Sequence, residues 1–273
     1  MGDILFIGGD RRMTFAAELI SRSGSVSALG LDVCFDEPAG KYGSIVLPVP
    51  FSRDGININA PFSGKPLPLE LITEYADEGA HVFSGGASPR LMELCETHGL
   101  ELTDYMSIEE LTLKNALLTA EGAISLLISG CDGALFDSTA VVIGYGRIAR
   151  YLARLLKAFR CRVTVAARSS VQREMAMLDG LCTLPTDLAV LAAAGADYVI
   201  NTVPAGILPA ECFGRMRPGA VYMELATRSE TPEKEWAESA GVKYIPAGGL
   251  PGRFSPRTAG EAIARAVISA DRA

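Results

Sequence analysis

Histidine is almost missing from this chain: there are two in 273 residues, beside six cysteines that never fall in C-x-x-C spacing. Thiolate and imidazole are the ordinary ligands of zinc, so the scatter of Cys34, Cys95, Cys131, Cys161, Cys182 and Cys212 argues against a metal centre. Four of these cysteines lie in or beside apolar runs and read as reduced thiols of a cytoplasmic protein. Cations are also short: 25 Lys and Arg against 32 Asp and Glu leave a net charge of −7. No basic stripe is available to neutralise phosphates, which argues against nucleic acid or a membrane surface as partner. The chain enters a strand at Ile4-Leu5-Phe6-Ile7 with no basic-then-apolar leader before it. Its most apolar long segment, residues 116–135, is broken by Glu121, Asp132 and several glycines and reads as too polar for a membrane span.

What is present is apolar bulk in an alternating α/β order. Residues of apolar type make up 49% of the chain, enough for large buried parallel sheets, and the length accommodates two domains. In the first half, strands are expected at Asp3–Ile7, Ser25–Leu29, Ser44–Leu47 and His81–Ser84. Helices are expected at Thr14–Arg22, Pro68–Glu78 and Ser88–His98. Residues 48–68 hold five prolines and read as a long surface loop. A long helix, Ser107–Ser129, then connects to a second half, with Ser107 and Glu110 spaced as a capping box. The fold class is therefore α/β: two doubly wound parallel-sheet domains joined by a long helix. Residues 1–130, completed by a C-terminal helix at 256–273, are expected to form the first domain and residues 131–255 the second.

The second domain opens on Thr139-Ala140-Val141-Val142-Ile143-Gly144-Tyr145-Gly146-Arg147-Ile148-Ala149, a buried strand running into G-x-G-x-x-A and a helix. Gly144 permits the tight turn, Gly146 lets backbone approach a pyrophosphate, and Ala149 lets helix pack on strand. Ile148, Leu152, Leu155, Leu156 and Phe159 then mark an apolar helical face, followed by a second strand, Cys161–Ala167. This βαβ unit reads as a dinucleotide site. NAD-binding units usually place an acidic residue at the end of that second strand. Here the strand ends in Arg168-Ser169-Ser170, which can pair with a 2′-phosphate, so the expected cofactor is NADP(H). A plain surface arginine is the alternative for Arg168.

Ligands of open α/β sheets sit beyond the carboxyl ends of the strands. In the second domain that rule collects Thr202, Val203, Pro204, Ala226, Thr227, Arg228 and the loop from Gly248 through Leu250, Pro251 and Gly252. In the first it collects Gly8-Gly9-Asp10-Arg11-Arg12 and Ser84-Gly85-Gly86. Arg11, Arg12 and Arg228 are candidates to receive an anionic substrate, though arginines at loop starts are often ordinary surface residues. Glu121 on the connecting helix is the candidate base or substrate orienter; a solvated helix face is its alternative. No histidine lies near a strand end on the nucleotide side, which speaks against a histidine base.

Several segments together resemble the A subunits of bacterial dipicolinate synthase: Ile7-Gly8-Gly9-Asp10-Arg11, Asn115 to Gly122, Gly144 to Arg147, Ala167 to Ser170, Ile200 to Pro204, and Ala247 to Gly252 followed by Pro256, Thr258, Ala259 and Gly260. The resemblance runs through nearly the whole chain in order. It implies an NADP-dependent oxidoreductase subunit that works with a flavoprotein-like second subunit in the mother cell of a sporulating bacterium. The implied substrate descends from a hydroxylated tetrahydrodipicolinate, which loses water to give dihydrodipicolinate; hydride transfer then yields dipicolinate. It also marks Asn115, Glu121 and Arg228 as catalytic candidates and Arg11, Gly85, Thr119, Pro251 and Gly252 as substrate contacts. The chain departs from the family at Leu118, where proline is usual, and at Arg228-Ser229-Glu230-Thr231, where arginine is followed by proline and glycines. A homo-oligomer is expected from size and class. The alternatives are an amino-acid or hydroxy-acid dehydrogenase of similar layout and a non-catalytic NADP(H) sensor.

Overall fold

The computed structural model describes residues 3–33, 35–226 and 232–271. The chain divides into two units, residues 1–115 with 251–273, and residues 116–250.

Unit 1 contains β1 (Ile4–Ile7), α1 (Arg11–Ile20), β2 (Val26–Leu29), β3 (Tyr42–Val46), β4 (Asn57–Ile58), β5 (Leu67–Pro68), α2 (Leu71–Tyr75), β6 (Ala76–Ser84), α3 (Pro89–Thr97) and β7 (Glu101–Asp104). Five strands form a parallel sheet in the order β2-β1-β3-β6-β7. Successive side chains of a strand point to opposite faces. Ile4 and Phe6 accordingly pack against α1 and the C-terminal helix, Pro256–Asp271, while Leu5 and Ile7 pack with Ile72 and Leu91 on the other side. The C-terminal helix thus supplies Ile263, Ala264 and Val267 to the same core as β1.

Unit 2 follows α4 (Glu109–Gly130), whose residues from Ala116 onward belong to it. It contains β8 (Thr139–Ile143), α5 (Arg147–Ala158), β9 (Arg162–Ala166), α6 (Ser170–Leu178), β10 (Cys182–Leu184), α7 (Ala189–Ala193), β11 (Tyr198–Asn201), α8 (Ala210–Phe213), β12 (Val221–Glu224), α9 (Glu233–Ser239), β13 (Lys243–Pro246) and α10 (Leu250–Phe254), the last of which crosses the boundary after Leu250. Its parallel sheet has the order β10-β9-β8-β11-β12-β13, that of a doubly wound dinucleotide-binding fold. Ala140 and Val142 face one core, Val141 and Ile143 the other.

Several expectations shift. The helix expected at Pro68–Glu78 is only one turn and a half, because Ala76–Glu78 already run in β6. Residues 48–68 are not merely a surface loop: Phe51, Ile58 and Leu67 are buried and β4 pairs antiparallel with β5. Ser107 does not cap α4. It ends a 3₁₀ turn, Tyr105–Ser107, and donates to the Asp104 carbonyl at 2.7 Å. Phe159, assigned to an apolar helical face, is exposed. By length and hydropathy α4 is a candidate membrane span after all. Its apolar face instead joins the core of unit 2 through Ala120, Ala123 and Leu127, all fully buried.

Candidate functional site

The candidate site in unit 2 begins at the turn after β8. Gly144 has φ +95, and a Cβ there would meet Thr202 Oγ1 at 2.6 Å and Val203 Cγ1 at 2.7 Å, so no other residue fits. Its N–H donates to the Ala166 carbonyl at 2.8 Å, tying the turn to the end of β9. Tyr145 is buried, and its hydroxyl donates to Asp179 Oδ2 at 2.6 Å; Arg154 Nη2 donates to the same carboxylate at 3.0 Å. The Tyr145 hydroxyl first, and Arg154 second, hold the Asp179 carboxyl below its usual range. Burial first, and then the Asp179 contact, push the Tyr145 phenol well above its own. The Tyr145 side chain therefore anchors the turn from behind.

Gly146 is the exposed N-cap of α5, with no side-chain cap, and a Cβ there would meet nothing within 4 Å. No cap side chain therefore covers the first turn of α5, with Arg147 exposed there and Ile148 turned toward the core. The positive end of a helix suits a pyrophosphate.

A cavity of about 460 Å³ lies along this turn, lined by Gly144, Arg168, Ser169, Gln172, Thr186 and Val203 among others, with no carboxylate on its walls. The Arg168 side chain is exposed and makes no hydrogen bond or ion pair among the described residues. Its backbone is fixed, since Arg173 Nη1 donates to the carbonyls of Ala167 and Arg168, each at 2.8 Å. Ser169 caps α6, accepting from Gln172 N at 3.4 Å, and Ser170 is exposed in the first turn. The residues present thus fit a dinucleotide. A larger cavity of about 590 Å³ opens at the amino ends of β11, β12 and β13, away from the glycine turn.

The opposite wall is set by two buried polar residues that the sequence pattern did not mark. Asn201 and Glu224 end β11 and β12 in register. Asn201 donates to both Glu224 oxygens, at 3.0 and 3.1 Å, and to the carbonyls of Val203 and Ala205; its Oδ1 accepts from Val203 N. Glu224 also accepts from Ala226 N at 3.1 Å and from the Tyr222 hydroxyl at 3.4 Å. These bonds shape the loop Thr202-Val203-Pro204 and place Ala226, while Thr202 Oγ1 donates to the Ile143 carbonyl at 2.7 Å. The available signal was a polar residue closing each of two apolar strands.

Of the remaining candidates, Leu250 is fully buried in the core of unit 2. Glu121 is exposed on α4 and has no partner among the described residues. Thr119 is buried on the same helix and Asn115 half-buried. Thr227 and Arg228 lie outside the described residues.

In unit 1, Arg12 is buried and committed: it pairs with Asp10 at 2.8 Å and donates to the Val49 carbonyl. Arg11 is exposed, 5.6 Å from the centre of the Phe15 ring. Gly85 is buried, with its N–H on Pro48 O and its carbonyl accepting from Phe51 N, so its backbone is already engaged. Pro251 is buried. Gly252 sits against Arg12, where a Cβ would come within 3.0 Å of Nε. The histidines are also here: His81 bonds Thr103 and stacks on Phe83, and His98 ends α3.

Residues 3–106 match the family model for the N-terminal domain of the dipicolinate synthase A subunit, and residues 130–233 that for the NAD binding domain of D-isomer specific 2-hydroxyacid dehydrogenases. The dipicolinate synthase A subunit of Bacillus subtilis is 29% identical over 277 residues, covering 96% of this chain and 93% of that protein. The chain is a relative of the dipicolinate synthase A subunits. The crystal structure of the Bacillus subtilis protein superposes with a TM-score of 0.83 at 27% identity, over 98% of this chain and 96% of that one. That of the Bacillus halodurans counterpart has the same fold, with a TM-score of 0.88 at 24% identity and 98% and 97% coverage. Residues 130–233, which fall within unit 2, thus form a dehydrogenase-type domain for a nicotinamide dinucleotide, as in an oxidoreductase.

Proposed function

We propose that this protein is the NADP-dependent subunit that oxidises dihydrodipicolinate to dipicolinate. The observation that carries this reading is the end-to-end similarity to the dipicolinate synthase A subunit of Bacillus subtilis. Gly146 and the first turn of α5 hold the pyrophosphate, and Arg168 with Ser169 and Ser170 receives the 2′-phosphate. NADP held there would supply the hydride acceptor. Aromatisation supplies much of the driving force, so the protein's task is mainly to hold and orient the ring. Arg11 takes a substrate carboxylate, with Gly85, Thr119, Pro251 and Gly252 as further contacts. Glu121 takes the proton lost alongside hydride, with Asn115 and Arg228 as additional catalytic candidates. The substrate arises from 4-hydroxy-tetrahydrodipicolinate by loss of water. The protein works with a flavoprotein-like second subunit and as a homo-oligomer, in the mother-cell cytoplasm of a sporulating bacterium.

The test is reconstitution: purified chain, NADP and enzymatically generated precursor, with and without the second subunit, followed by dipicolinate absorbance. Dipicolinate that depends on this chain supports the reading; its absence with both subunits present contradicts it. A second reading, a hydroxy-acid dehydrogenase, is favoured by the match at residues 130–233. It predicts NAD(P)-dependent oxidation of simple 2-hydroxy acids without any second subunit. Against it, both histidines lie in unit 1, in β6 and at the end of α3.

A further inference from the structure

Phe15, on the second turn of α1, carries two guanidinium groups: Arg11 at 5.6 Å and Arg257 at 4.7 Å from its ring centre. Stacking on an aromatic face holds an arginine in place while leaving its N–H fork available. Both arginines are exposed, and neither has an ion pair among the described residues. The carboxylates nearest in sequence are taken, Asp10 by Arg12 at 2.8 Å and Glu261 by Arg265 at 3.5 Å. Two like charges near one ring repel each other, and an anion lying with both offsets that repulsion.

The two helices that carry the pair pack closely. Gly260, one turn after Arg257, lets the C-terminal helix press onto α1, where a Cβ would come within 2.9 Å of Phe15 Cβ and 3.1 Å of Ala16 N. The pair also stands at the right end of the sheet. α1 begins beyond the carboxyl end of β1, and the order β2-β1-β3 makes β1/β3 the switch point where open sheets bind ligands.

We propose that Arg11 and Arg257, braced by Phe15, form a carboxylate-binding site in unit 1, and that Arg257 is a substrate-recognition residue. This deepens the proposed function and rests on its dicarboxylate substrate. The fork of each guanidinium matches a carboxylate bidentately, which a lysine cannot reproduce.

The test is equilibrium binding of pyridine-2,6-dicarboxylate to the full chain by calorimetry, with no nucleotide or second subunit. Arg257→Gln and Arg11→Gln should each weaken binding by about tenfold or more without lowering the melting temperature, since both side chains are exposed. The double variant should lose less than the product of the two, because both groups serve one ligand. Arg265→Gln should bind as the parent does. No saturable binding by the parent, or Arg257→Gln within twofold of it, overturns the site. Displacement by equimolar inorganic phosphate overturns the carboxylate assignment. If the site fails while dipicolinate is still formed in the reconstitution, the proposed function stands. If dicarboxylate binds through Arg257 but no dipicolinate forms, the function fails instead.

Discussion

Asn201 donates its side-chain amide to both carboxylate oxygens of Glu224, at 3.0 and 3.1 Å, where β11 and β12 end side by side. Both residues are buried, so a lost partner is not replaced by water. Asn201→Ala should therefore cost about 2–3 kcal/mol in urea unfolding. It should also weaken nucleotide binding, because the Val203 and Ala205 carbonyls lose their donor. An unchanged denaturation midpoint would show that the pair does not hold the loop.

Gly144 and Gly146 should respond differently to alanine. At Gly144 the φ of +95 and the contact with Thr202 Oγ1 predict loss of both stability and nucleotide binding. At Gly146 the backbone is ordinary, φ −80, and the space is open, so Gly146→Ala should leave the melting temperature unchanged. Its methyl group points where a pyrophosphate approaches, and nucleotide affinity should fall about tenfold or more. Equal effects of the two substitutions would remove the distinction.

Arg168→Ala should weaken NADPH binding about tenfold or more and leave NADH binding nearly unchanged, as a charge-assisted pair to the 2′-phosphate is lost. A fluorescence titration with both nucleotides measures this. Parallel losses for the two would return Arg168 to the surface.

Asp179 links stability to pH. Its carboxyl lies below the ordinary value when folded, chiefly through the Tyr145 hydroxyl and Arg154. Its stabilisation is thus present above the unfolded pKa of about 3.9, and is lost as pH falls through the folded value. Asp179→Asn should cost about 1–2 kcal/mol at neutral pH, with the gap closing in acid. A gap constant from neutral to acid pH would assign the effect to packing.

Much of unit 2 was legible because its signals are local. The run from Thr139 to Ala149 combines strand, glycine turn and helix within one βαβ unit, and Arg168 follows at the next strand end. The short strands β7 and β10 were missed, having four and three residues and little apolar contrast with their flanks. Ala76 to Glu78 continued a helical pattern and yet formed the start of β6, where Ala76 pairs with Tyr42 of β3. Asn201 and Glu224 lie 23 residues apart, and Phe15 and Arg257 meet through two helices at opposite ends of the sequence. Only the parallel register and the packing of the C-terminal helix bring these pairs together.

The proposed hydride transfer on this chain runs from dihydrodipicolinate to NADP. Its most direct measurement is the stoichiometry of NADPH formed to dipicolinate formed in the two-subunit reconstitution. One NADPH for each dipicolinate is the predicted result. Dipicolinate appearing without NADPH would contradict it.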